Sequence, residues 1–184
     1  MVDFILPFPS RELAEKELSY DPCCKKIPEK SRSIIVDRAW NTGVKAAHTV
    51  FGRFEGTYDF TRICYKSGLK LNIKDTDYVV GGMRYFSDYI SGQKTINIYK
   101  KSVGLWADVN GIPPDTAINL VLSHEYFHFL EVSELGLTSR IFQVPIIKIG
   151  GFTIGKTGIR ALSEIGAHAF ARTYYELATG EGND

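Results

Sequence analysis

The chain has 184 residues, 44% hydrophobic and 23% charged, a composition that suits one folded domain with a full core. A formal net charge of +1 argues against a nucleic-acid binder working through a basic surface, and no apolar run is long enough to cross a bilayer. Three cysteines, Cys23, Cys24 and Cys64, do not make a disulfide framework; they read as reduced thiols of a cytoplasmic protein.

Residues 1–30 read as an arm, 31–180 as a single domain and 181–184 as a disordered tail. The first nine residues lack a basic leader and are broken by prolines, so they read as a poor signal peptide. Phe4, Ile5, Leu6 and Phe8 are costly to leave in water, which predicts that the arm packs on the domain or on a second subunit. A short helix is expected over Ser10–Leu18, followed by a loop through Asp21-Pro22 and Ile27-Pro28. The pair Cys23-Cys24 falls in this loop with nothing beside it to complete a metal or redox site.

From Lys30 to Phe54 the apolar residues recur near helical spacing, interrupted by Gly43. His48 lies in this helix without a metal-type partner and reads as a surface or packed histidine. A shorter helix from Thr57-Tyr58-Asp59-Phe60 to Ser67-Gly68 follows. Strands are then expected over Leu69–Lys74, Tyr78–Tyr85 and Thr95–Tyr99, forming a small, mostly antiparallel three-stranded sheet. Gly81-Gly82 reads as a bulge or a close backbone approach, and Ser91-Gly92-Gln93 as a turn. Thr95–Tyr99 alternates cleanly and is the candidate exposed edge that would hold an extended peptide. An ordinary edge or central strand carries the same pattern. A connecting helix near Ser102–Val109 leads on.

The next helix starts at Asp115 or Thr116, after Pro113-Pro114, and stops at Gly136. Ala117, Ile118, Val121, Leu122, Phe129 and Leu130 make it a mostly buried helix. It carries His124-Glu125-Tyr126-Phe127-His128. Residues four apart share a helix face, so His124 and His128 can hold one metal ion between them. Glu125, next to the first ligand, can reach a water on that metal as general base. Zinc suits two imidazoles and a carboxylate with the fourth position open.

Ile141–Gly155 is apolar and β-branched, and reads as a hairpin around Gly150-Gly151, a flap over a cleft or a dimer contact. The last helix is expected from Thr157 or Gly158 to Ala178, with Gly180 past its end. It carries Glu164 and His168, four apart and able to face the same way. Either can complete the metal site. Glu164 can be the ligand with His168 supporting an oxyanion, or His168 can be the ligand with Glu164 orienting a histidine. The other candidates for an oxyanion donor are Tyr99, Tyr174 and Tyr175.

The pair of motifs, His124-Glu125-Tyr126-Phe127-His128 and then Glu164-Ile165-Gly166-Ala167-His168-Ala169-Phe170-Ala171, resembles the ImmA/IrrE type of zinc metallopeptidase. The resemblance extends in layout over about residues 34 to 178, with Tyr58-Asp59-Phe60-Thr61-Arg62-Ile63-Cys64 leading into Gly68-Leu69-Lys70-Leu71. It implies an α+β, zincin-like fold of the gluzincin type: a small sheet against an active-site helix and a C-terminal helix, with helices before them. It also implies Zn2+ as cofactor, His124, His128 and Glu164 as its ligands, and cleavage of a protein or peptide substrate. Phe127 stands where that family commonly has glycine, the stretch between the motifs is longer, and no helix-turn-helix is legible. The expectation is a cytoplasmic zinc metallopeptidase, with no direct nucleic-acid or membrane partner, using Glu125, His168 and Tyr175 in catalysis. Two readings compete with it: a metal-binding interaction module that does not cut, and hydrolysis of a non-peptide amide.

Overall fold

A computed structural model describes residues 6, 8–149 and 152–180. The arm begins with a 3-10 turn over Arg11–Leu13 that runs into α1 (Ala14–Ser19). Ala14, Leu18 and Ile27 are buried against Ile35, Val36 and Ala39, so the arm is docked on the domain. Leu6 is buried in the main core; Phe4 and Ile5 lie outside the described residues, as does the expected tail at 181–184. α2 (Glu29–Arg53) runs nearly the length read from the sequence, and His48 is exposed on it. α3 (Phe60–Lys66) starts where the Asp59 carboxylate accepts from the Arg62 N–H at 2.9 Å, satisfying one of the free donors of the first turn.

The sheet differs from expectation. β1 (Lys70–Lys74) is followed by β2 (Tyr78–Val80) and β3 (Met83–Tyr85), which form a separate antiparallel hairpin. Gly81 and Gly82 make its turn, with φ of +59° and +81°, a pair of left-handed conformations that glycine adopts without a Cβ clash. Tyr78–Tyr85 is therefore two strands, not one. The sheet's third strand is β4 (Ser87–Ile90), and β5 (Thr95–Tyr99) lies between β1 and β4. β5 pairs parallel with β1 and antiparallel with β4, so the sheet is mixed. Thr95–Tyr99 is the central strand, which corrects its reading as the exposed edge; β1 and β4 are the edges. Ile96 and Ile98 are buried in the main core, and Tyr99 is covered by Tyr78, stacked at 4.4 Å.

α4 (Lys100–Asn110) ends at Gly111 in a left-handed cap, and α5 (Pro114–Leu130) follows with proline in its first turn, where the missing N–H costs nothing. A π-helical turn, Glu131–Leu135, continues α5 to Gly136. β6 (Gln143–Ile149) and β7 (Phe152–Gly158) form the expected hairpin, although its Gly150-Gly151 connection lies outside the described residues. α6 (Arg160–Thr179) ends at Gly180, φ +77°.

α6 is wedged between α2 and α5. On one side Gly43 of α2 abuts the α6 backbone, where a Cβ would stand 2.1 Å from the Gly166 carbonyl oxygen. On the other, the Phe127 ring of α5 lies against Gly166 and occupies the space a side chain would need there. The whole is an α+β fold of helices with several small sheets. No helix among the described residues is long and apolar enough to cross a membrane.

Candidate metal centre

α5 is buried on most of its circumference, including Leu122, Tyr126, Phe127 and Leu130, and that burial holds its remaining face against α6. His124 and His128 stand one turn apart on that face, with Nε2 atoms 3.3 Å apart. From α6, Glu164 brings Oε2 to 3.3 Å from His124 Nε2 and 3.8 Å from His128 Nε2. Ligand atoms of the three residues all lie within 4.8 Å of one another.

These separations fit a small divalent cation. Tetrahedral ligands at about 2.0–2.1 Å from zinc stand about 3.3–3.4 Å from one another. Two imidazole nitrogens and one carboxylate oxygen are also a donor set that zinc accepts. The group of His124, His128 and Glu164 could hold such an ion. The carboxylate is matched to its neighbours: burial pushes Glu164 up, but His124 and His128 outweigh it and hold it well below the usual carboxylate range.

Glu131, in the π-turn one helical turn beyond His128, supports that histidine. Its Oε2 is 3.0 Å from His128 Nδ1 and accepts from the Ser163 hydroxyl, while its Oε1 accepts from the Thr138 N–H at 2.8 Å. A carboxylate on Nδ1 fixes the ring's orientation and leaves Nε2 toward the centre. Burial opposes charge on both partners. It is outweighed in each: Glu131 is held below its ordinary value by His128, Ser163 and Thr138, and His128 is lifted to about 10 by Glu131 and Glu164. Without metal, His128 is thus the cationic partner of two carboxylates.

Glu125 lies beside the cluster, largely buried, and its Oε1 accepts from the Ser87 hydroxyl of β4 at 2.7 Å. The strand next to the site therefore fixes the carboxylate's direction. His168 lies one turn beyond Glu164 on α6, with its ring 5.1 Å from that of His124. Burial, reinforced by His124, pushes His168 down to about 3, so it is a neutral imidazole at physiological pH.

A cavity of about 720 Å³ opens onto His124, Glu125, His128, Glu164 and His168. Trp106, Phe86 and Val121 give it an apolar side, and Arg84, Asp88 and Arg160 contribute charge. The three tyrosines considered as oxyanion donors are not among the residues that line it. Tyr99 donates to Asp88 at 2.6 Å, and Tyr174 donates to the Thr57 carbonyl at 2.7 Å. Tyr175 packs its ring 5.8 Å from that of Tyr58. The fold brings five of the sequence's site residues to this cavity, and Tyr175 is not among the residues that line it.

Sequence reasoning missed Glu131 and Ser87. Glu131 carried a signal, since three residues beyond His128 is the same helix face. Ser87 carried none, because β4 does not stand out by alternation. Comparison with protein-family models, with curated proteins and with solved structures gives no significant match.

Proposed function

We propose that this protein is a zinc-dependent metallopeptidase, of the gluzincin type that its motifs resemble, acting on a protein or peptide substrate in a cytoplasm. One observation carries the reading: two histidines, a carboxylate from a second helix and an adjacent second carboxylate, Glu125, converge on one side of a cavity. A site built only to bind metal has no use for Glu125. The three free thiols agree with a reducing compartment.

His124, His128 and Glu164 would hold the zinc ion. When bound, such an ion polarises a carbonyl oxygen and lowers the pKa of water to about 7. Glu125, held by Ser87, takes a proton from the attacking water as its oxygen bonds to the scissile carbonyl carbon. It then delivers that proton to the amide nitrogen as the C–N bond breaks. Neutral His168 can donate an N–H to the oxygen that gains negative charge, a contribution of about 3 kcal/mol when well aimed. Glu131 holds His128 in the right tautomer throughout.

The test is metal analysis together with incubation of the purified chain with an unfolded protein. One equivalent of zinc and cleavage that Glu125→Gln abolishes, with zinc retained, is the expected result. Stoichiometric metal without cleavage points instead to the metal-binding interaction module. Full activity in Glu125→Gln removes Glu125 from the mechanism.

A further inference from the structure

The arm reaches the candidate metal centre. Phe8 lies with its ring edge-on to three others: Trp106 at 6.0 Å, His124 at 6.1 Å and His168 at 5.6 Å. Phe86 packs against Trp106 at 5.3 Å and also lines the cavity. The Phe8 ring is thus set into the apolar side of the cavity, against one proposed ligand and the proposed oxyanion donor.

Among the described residues, the main chain of this segment is held by the Phe8 N–H, which donates to the Leu6 carbonyl at 2.8 Å, and by one arginine. Arg172 of α6 donates to the Phe8 carbonyl at 3.3 Å and to the Pro9 carbonyl at 3.4 Å. Before it, Leu6 is anchored in the main core, and after it Arg11 pairs with Asp37. Between these moorings Phe8 is only partly buried. Its ring shares a wall of the cavity with the groups that the proposed reaction uses.

We propose that the recess formed by Trp106, Phe86, His124 and His168 is a subsite for an aromatic side chain of the peptide substrate, and that Phe8 fills it at rest. The word substrate rests on the metallopeptidase reading; the binding of an aromatic side chain does not. Aromatic rings recognise one another edge-to-face at these centroid distances, and an aliphatic side chain would lose that contact. Carbonyl groups moored by one arginine can be exchanged for those of another extended chain. A peptide with a suitably placed aromatic residue therefore competes with the arm, and its apparent affinity falls by the fraction of molecules whose recess is vacant.

The test uses the full chain carrying Trp40→Phe, so that Trp106 is the sole tryptophan of the two in the sequence. The probe is a synthetic heptapeptide matching residues 6–12, titrated against Phe8→Ala in that background while Trp106 fluorescence is followed. The peptide should give a saturable change and bind about tenfold or more tighter to Phe8→Ala than to the chain with Phe8 intact. That factor is the bias a buried phenylalanine ring gives the filled state. The same peptide with alanine in place of phenylalanine should not bind. Equal binding of both peptides, or no Trp106 response from a folded Phe8→Ala, overturns the proposal. If Phe8→Ala fails to fold, Phe8→Leu takes its place, keeping an apolar side chain at that position while losing the edge-to-face contacts, and the peptide should again bind tighter than to the chain with Phe8 intact. Repeating the titration in a chelator separates this idea from the metal reading, because the subsite should still bind without metal or turnover.

Discussion

Gly43 bears on how tightly α6, and with it Glu164 and His168, is held against α5. Replacing it by alanine places a methyl 2.1 Å from the Gly166 carbonyl oxygen, 2.8 Å from Ala169 Cβ and 2.9 Å from Phe170 N, where ordinary contact begins at 3.4 Å. The first and third of these neighbours are backbone, so no rotamer change relieves them. The two helices must part by about 1 Å, and overpacking of this kind costs about 1–3 kcal/mol, here at the upper end. Alanine returns about 1 kcal/mol in helix propensity. The net loss is about 2 kcal/mol, or about 4–8 °C in Tm for a chain of this length. Gly104→Ala in α4 is the control, since nothing lies within 4 Å of its Cβ position. There the same change should stabilise, by up to about 1 kcal/mol. Both are measured by thermal and urea unfolding of the metal-free protein, since bound metal would mask the difference. Zinc affinity should also fall in Gly43→Ala, because a displaced α6 shifts the Glu164 carboxylate out of register with the histidines. A Gly43→Ala protein that melts at or above the wild-type temperature would refute the close-packed arrangement.

Other consequences can be checked on the same material. In the metal-free protein His128 is raised from 6.5 to about 10, so its stabilising contribution is complete below pH 6.5 and is lost as pH rises through 6.5 to about 10. Melts in chelator should show a fall in Tm across that range, and His128→Gln should flatten it. Glu131→Gln removes the negative charge beside His128 Nδ1, and its single acceptor oxygen cannot stand in for both carboxylate oxygens, one facing His128 and the other Thr138. The His128 value in the metal-free protein should drop by about one unit or more, read from its imidazole NMR signals. Burial pushes the Cys64 thiol up to about 12, whereas Cys23 and Cys24 are partly exposed. Two thiols should react with a disulfide reagent at pH 8, and the third only on unfolding. Three fast thiols in the native protein would contradict the burial of Cys64.

Much of the site could be read locally, because its chemistry is written in helical spacing. Four residues separate His124 from His128, and Glu164 from His168, so each helix face was determined by the sequence alone. The bounds of α2, α5 and α6 followed from apolar periodicity with proline and glycine at their ends. The pairing of the two helices was expected from a resemblance, but the separation of the ligand atoms was decided by tertiary packing. Gly43 illustrates the difference: in sequence it weakens a helix, and in the fold it lets α6 approach.

The order of strands was likewise a tertiary matter. An alternating segment such as Thr95–Tyr99 looks the same at an edge and in the centre, since alternation reports faces and not neighbours. The same limit hid β4, whose Ser87 holds Glu125, and left Tyr175 among the candidates although it does not line the cavity. Glu131 lay within reach of helix geometry, but its grip on His128 depends on Thr138 and Ser163 from separate elements. Phe8 lies more than a hundred residues from His124 in the chain, and no local rule could set one against the other. Periodicity and spacing determine which residues share a face; only the folded chain decides which faces meet, because that choice is made by burial summed over the whole core.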